Sequence, residues 1–320
     1  MPLYPSSAAT PSDLTVEYEI DADHVEPWHE RFLYRDQSGT LVREEAILDS
    51  GNRLDTDYYP GGVIERQVET DVMDLFKWRE IASDFNASGE QLSEVVVRDN
   101  GITTTTTFAF STNSYSILQE DVEDVKSWRS IEVAYDEEGK LDLKTRIADD
   151  GSKTETEFED GARVSRIQTD DGDARKWDSI TTTYDESGDI VQKIKVQDDG
   201  RVVTTTYEDG DRISTLVEDT ADAFRFETHL KIYDQDGLAE DTRVMDDGTT
   251  TSKFYEGGQL SEREVIFYEE VILRERFDVV DDHDWARILE KFNLVGNMTY
   301  RLTEYDDGTV EEFDPIILFG

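Results

Sequence analysis

WRSIEVAYDEEGKLDLKTRIADDGSKTETEFEDGARVSRIQT, Trp128 to Thr169, decides the fold. Three turn signals cut it into four short runs. In YDEEG, Asp136 can accept a bond from the backbone two residues on, and Gly139 takes a positive φ without strain. DDG at 149–151 and FEDG at 158–161 place Asp before Gly between strand-like runs, a strong hairpin signal. The runs between the turns alternate, most clearly in KTETEF and VSRIQT. The stretch reads as four antiparallel strands.

The same frame recurs along the chain. Its leading aromatic stands at Trp28, Trp78, Trp128, Trp177, Phe226 and Trp285, in steps of 50, 50, 49, 49 and 59. Eight residues after each stands Asp or Asn, and eleven after each stands Gly. A fixed period of this size signals a repeat architecture. The Thr runs ITTTTTF, VVTTTY and TTTSKFY suit strands. The expectation is an all-β chain: six repeats of about 50 residues, each of four antiparallel strands, with unit starts near 28, 78, 128, 177, 226 and 285. Residues 1–13 read as a flexible tail and 14–320 as one β-repeat domain.

Between units lies a second motif. DADHVEPW, DVMDLFKW, DVEDVKSW, DDGDARKW, DTADAFRF and DVVDDHDW all place Asp seven residues before the aromatic, and Asp or His four before it. One reading is a capping box around a single helical turn, with the aromatic then starting the next strand. A buried aromatic of roughly 150–250 Å² gives about 4–6 kcal/mol of gross stabilisation as an upper bound. The other reading is calcium at the pairs Asp71 and Asp74, Asp121 and Asp124, Asp170 and Asp173, and Asp219 and Asp222. Calcium takes six to eight oxygens, so backbone carbonyls and turn Asp residues would have to complete each shell.

The array starts and stops out of phase. LTVEYEI (14–20) sits where a fourth strand belongs, and the unit from Trp285 supplies strands one to three. This match favours a six-bladed, propeller-like ring closed by the N-terminal strand. Polar strands such as SKTETEFE favour the alternative, an open single-layer superhelical β-meander. The divergent segment 263–320 carries about ten extra residues in REVIFYEEVILRERFDVV and ends in DPIILFG. It reads as a cap of the array, or as a contact surface.

Composition narrows function more than it defines it. The chain of 320 residues carries 76 acidic and 32 basic residues, a net charge of −44. That charge disfavours nucleic acid and anionic membranes as partners. There is no cysteine, no apolar run long enough to span a membrane as a helix, and no Sec-type signal in MPLYPSSAATPSD. Hydrolase, nucleotide and zinc-protease motifs are absent, so no catalytic or cofactor-binding residue is assigned. His24 and His29 are five apart, which suits neither a strand face nor a helical pair.

The units WRSIEVAYDEEGKL…DDG…FEDGAR and WDSITTTYDESGDI…DDG…YEDGDR resemble YD-type tandem β-repeat modules of large acidic exported bacterial proteins, some of them linked to type I secretion. The resemblance runs from residue 14 to about 316 and rests on turn residues. It implies an exported or surface protein with a structural or binding role. The calcium nonapeptides of type I substrates are missing, and signal-less phage tail and virion modules fit equally. Three functions follow as expectations. The first is a non-enzymatic structural or binding module of a cell surface, appendage or virion, with a protein or glycan partner and a contact through 263–320. The second is a calcium-stabilised secreted repeat domain. The third is a propeller hydrolase acting on a sugar or lactone. The missing signal leaves the cytoplasm open as a location.

Overall fold

The computed structural model describes residues 13–314. The expected tail at 1–13, apart from Asp13, and the closing PIILFG lie outside the described residues. The chain divides into two compact bodies, up to Gly161 and from Ala162 on. The first holds β1 (Thr15–Ile20), β2 (Trp28–Arg35), β3 (Leu41–Leu48), β4 (Arg53–Tyr58), β5 (Ile64–Thr70), β6 (Trp78–Phe85), β7 (Gln91–Arg98), β8 (Ile102–Ala109), β9 (Ser114–Asp121), β10 (Trp128–Tyr135), β11 (Leu141–Ala148) and β12 (Ser152–Glu159). The second holds β13 (Ala162–Asp170), β14 (Ser179–Tyr184), β15 (Ile190–Val196), β16 (Arg201–Glu208), β17 (Asp211–Asp219), β18 (Phe226–Asp234), β19 (Gly237–Met245), β20 (Thr249–Glu256), β21 (Gln259–Phe267), β22 (Glu270–Phe277), β23 (Trp285–Phe292), β24 (Met298–Tyr305) and β25 (Val310–Phe313). The all-β, antiparallel expectation holds.

Within each body the strands pair in chain order, and no described strand contacts a non-neighbour. Each body is therefore a single-layer meander. The fourth strand of one repeat bonds directly to the first strand of the next: Arg66 lies opposite Asp84 across β5–β6, and Ser214 opposite Ile232 across β17–β18. Propeller blades are separate sheets and lack such ladders. The expected closed ring of blades is thus corrected to the open meander, because the last strand of one unit and the first of the next share one ladder. The extra strand β22 holds the ten surplus residues expected as a cap. Tyr268 and Glu269, at φ 50° and 66°, make the turn that adds it.

A single layer has no interior, and the burial pattern agrees. Leu33, Ala46, Ala82 and Ile288 are the buried apolar side chains among the described residues. Elsewhere each face is half-covered by its own cross-strand neighbours, whose pairs contribute roughly 0.2–1 kcal/mol each. This explains how a run as polar as SKTETEFE can form a strand: long polar side chains lie over one another instead of over a core. Arg43 and Arg53 flank Glu45, and Arg53 Nη2 meets Asp55 at 2.8 Å. Arg287 Nε donates to Glu275 at 2.6 Å, and Arg276 reaches Glu290 at 3.5 Å. The Tyr58 hydroxyl donates to Glu44 at 3.0 Å; burial, then the Glu44 charge, pushes the phenol up to about 12.

The turns follow their residues. Asp136 accepts the N–H groups of Glu138 and Lys140 through one oxygen, as Asp36, Asn86, Asp185 and Asn293 do at their own turns. Asp209 at φ 52° and Gly210 at φ 85° give the paired positive φ of a tight hairpin between β16 and β17. Strand starts fall on the aromatic at Trp28, Trp78, Trp128, Phe226 and Trp285, whereas Trp177 precedes its strand by two residues. A register shift follows the aromatic in β2, β6, β10, β18 and β23. Such bulges re-aim a side chain and increase local twist. Nothing in the alternation signals them.

Candidate functional site

Connections in a meander alternate between the two rims of the sheet. In the first body this puts the DxxD junctions and the DSG, DNG and DDG turns on the same rim. Backbone bonds stitch them together: Asp49 N–H donates to Pro27, Asp99 N–H to Lys77, and Val122 N–H to Gly101. The second body repeats the arrangement at 171–178, 198–200, 220–225 and 246–248, with Thr220 N–H donating to Gly200. The extra strand β22 then reverses the order. The junction at 278–284 and the turn at 306–308 therefore lie on the opposite rim of that body.

Every junction is built alike, and not as a helical turn. Asp71 accepts the N–H groups of Leu75 and Phe76, at 3.1 and 2.7 Å. Asp170 holds Ala174 and Arg175, Asp219 holds Ala223 and Phe224, and Asp278 holds Asp282 and His283. Asp121 holds Lys126, and Asp21 holds Glu26. The residue three after each is left-handed: His24, Asp74, Asp124, Asp173, Asp222 and Asp281 have φ between 50° and 56°. Asp, Asn and His are the non-glycine residues that tolerate this region best. The capping-box expectation is thus corrected. The first Asp ties a five-residue turn, and the second residue of the pair supplies its left-handed bend.

At three junctions the residue that closes the tied turn stacks toward the aromatic. Phe76 lies on Trp78 with centroids 5.2 Å apart, Phe224 is tilted toward Phe226 at 5.8 Å, and His283 lies on Trp285 at 5.0 Å. The leading aromatics are half-buried, below the full burial assumed for the upper bound. Asp71→Ala is expected to lower stability by about 1 kcal/mol, as loss of a cap does. Asp74→Val should cost about 1–2 kcal/mol by placing a β-branched residue at positive φ, while Asp74→Gly should be close to neutral. Urea denaturation of the three variants checks this. Equal losses for Val and Gly would contradict the left-handed role.

Electrostatics set the character of the rim. Asp198 is raised from its ordinary value by partial loss of hydration and then by Asp178, Asp173 and Asp170. Asp246 is raised by the same loss, then by Asp222 and Asp219; Asp306 likewise, then by Asp281, Asp278 and Asp284. Their turn partners move the other way. Asp199 is lowered by its bond to Arg201, and Asp247 and Asp307 by the N–H and hydroxyl groups of Thr249 and Thr309. For a carboxyl raised on folding, the stabilising contribution is complete below its unfolded pKa and is lost as pH rises through the folded one. The variant Asp198→Asn, Asp246→Asn, Asp306→Asn should therefore melt a few degrees above the parent at pH 7 in low salt. The difference should vanish near pH 3. Paired melts at the two pH values measure it, and an equal gain at both would refute the charge origin.

The eight calcium candidates all sit on these junctions. The first member of each pair ties its turn, and the second forms the bend. Among the described residues, the group of three metal-capable side chains that converges is Asp278, Asp282 and His283, with ligand atoms within 4.8 Å. It lies at the sixth junction, outside the eight, and is only partly covered by the fold. The sequence reading assigned no metal role to this junction. An open groove of about 360 Å³ lies on β24 and β25, lined by Met298, Arg301, Thr303, Tyr305, Glu311 and Phe313. It presents one carboxylate.

No protein-family model matches the chain, and no curated protein matches it. Among solved structures, the chain aligns with a candidate 6-phosphogluconolactonase from Bacteroides uniformis at 11% identity, over 94% of this chain and 92% of that one, with a TM-score of 0.14. A second candidate 6-phosphogluconolactonase, from Bacteroides fragilis, aligns at 12% identity over 97% and 92%, with a TM-score of 0.13. Likenesses at these scores carry no argument for fold or function.

Proposed function

We propose that the protein is a non-enzymatic structural or binding β-repeat module, carried on a cell surface, appendage or virion. The observation that supports this best is the architecture itself. Single-layer sheets leave both faces open and line their rims with repeated carboxylates, which suits the recognition of a surface more than the enclosure of a substrate. The charge of the rim selects a basic protein surface as the favoured partner, ahead of a glycan. A glycosidase-like mechanism takes two facing carboxyl groups, whereas the groove on β24 and β25 offers Glu311 alone.

Two assays test the reading together. The chain should bind a lysine-coated surface and not a glutamate-coated one, with affinity falling as salt rises. Incubation with a sugar lactone should give no hydrolysis above the spontaneous rate. A saturable rate lost in Glu311→Gln would overturn the non-enzymatic reading in favour of the hydrolase. A calcium-stabilised secreted module is the second reading. The observations favouring it are the repulsion that Asp178, Asp173 and Asp170 exert on Asp198, and the convergence of Asp278, Asp282 and His283. A calcium titration against matched sodium separates the two.

A further inference from the structure

One face of the second body is basic, in a chain whose net charge is −44. Residues directly opposite on antiparallel strands share a face, so the register traces rows across the sheet. From β13 to β21 one row runs through Arg166, Lys193, Lys231, Asp241, Lys253 and Arg263, with Thr182, Thr205 and Thr215 on the strands between. The next row of the same face adds Lys195, His229 and Arg243. Asp241 is the one carboxylate of these two rows between β13 and β21, and it pairs with His229 Nε2 at 2.6 Å. Among the described residues Lys193, Lys195, Lys231 and Lys253 form no ion pair. The first body does not share the pattern. Sixteen residues after the leading aromatic its first two units place Glu44 and Glu94, where the fourth unit places Lys193. The strand tolerates either charge there, so the repeat itself does not demand a basic row.

No described strand of this body lies over the face, since each strand touches its chain neighbours alone. The lysines are half-buried along their stems, which leaves the ammonium groups to water. Arg166 and Lys193 are two strands apart, as are Lys231 and Lys253, which is about 9–10 Å. The acidic rims are farther off. Asp189 and Asp198 lie four and five residues along the chain from Lys193, about 13–16 Å. That exceeds the Debye length of about 8 Å at physiological salt, so the rims act weakly on what approaches the row.

We infer that this face binds a linear acidic polysaccharide, a polymer of sugar rings that bear carboxylates. Lysine ammonium groups are compact cations suited to separate carboxylates. The threonine hydroxyls between them both donate and accept, as ring hydroxyls require. A continuous row with one residue per strand suits a linear polymer. Single-stranded nucleic acid fits less well, because it takes free aromatic faces for its bases. Tyr184 and Tyr233 stand two residues beyond Thr182 and Lys231 on this face, and their rings already carry the guanidinium groups of Arg163 and Arg212, at 5.0 and 3.9 Å. This surface is separate from the rim, whose charge is opposite.

Isothermal titration of the full chain with polygalacturonate, in about 0.15 M NaCl and excess EDTA, tests it. EDTA removes calcium that would otherwise bridge the polymer to the rim. The expected result is saturable binding that disappears with the methyl-esterified polymer, which keeps the rings and loses the charge. Lys193→Glu, Lys231→Gln and Lys253→Gln combined should weaken binding at least about tenfold, through three lost pairs. Glu44 and Glu94 show that the strand accepts Glu at the first of these positions, and circular dichroism checks that the sheet is intact. Lys126→Gln, on a junction of the first body, should leave binding unchanged. No binding, equal binding of the ester, or full affinity in the triple variant would each overturn the inference. Tighter binding of oligothymidylate would overturn it too, by making the face a nucleic-acid surface. The rim reading is tested apart from this, because the triple variant should still bind the lysine-coated surface.

Discussion

Raising NaCl from about 0.02 M to about 1 M is expected to raise the melting temperature by roughly 10 °C, with MgCl₂ and CaCl₂ at matched ionic strength giving the same shift. The reason is a mismatch of scale. A net charge of −44 opposes compaction, while the apolar core holding each sheet is a handful of side chains. Repulsion concentrates on the rims, where Asp198, Asp246 and Asp306 are each raised by neighbouring carboxylates. Screening acts on exposed charges of this kind most strongly. A further rise confined to calcium, and reversed by EDTA, would make the junctions metal sites and favour the calcium-stabilised reading. Indifference to every salt would mean that the rim charges are already balanced within the fold.

Ile288→Ala is expected to lower stability by about 2–3 kcal/mol, the lower part of the range for a buried aliphatic. Ile288 is 4% exposed on β23, between Arg276 and Thr303 on the flanking strands. In a closed core the cavity would persist and the loss would be larger. In a single layer the neighbouring Arg and Thr side chains can settle into the space. Val25→Ala provides the contrast. Val25 is 81% exposed at a junction, so its loss should stay within about 0.5 kcal/mol. Urea midpoints measured at fixed high salt separate packing from charge. A loss at Ile288 no larger than that at Val25 would mean that the sheets are held by their ladders alone.

The amino-acid order by itself determined the turns, and through them the strands. Asp136, Gly139, Asp150 and Gly151 carry their conformations in their own side chains or in the lack of one, so local chemistry suffices. The period of the aromatic likewise marked where most units start. Tertiary structure decided the rest. Whether the fourth strand of a unit bonds to the first strand of the next cannot be read from either strand, because both present the same N–H and C=O groups in a ring or a ribbon. The ladder from Arg66 to Asp84 settles it. The junction Asp pairs read equally as a helical cap or as a bend, since Asp serves both; the positive φ of Asp74 and its equivalents chooses the bend. The surplus residues near 270 looked like a cap, yet one added strand, β22, reverses every connection after it. Pairing and direction belong to neighbouring strands together, so no single stretch of sequence could carry them.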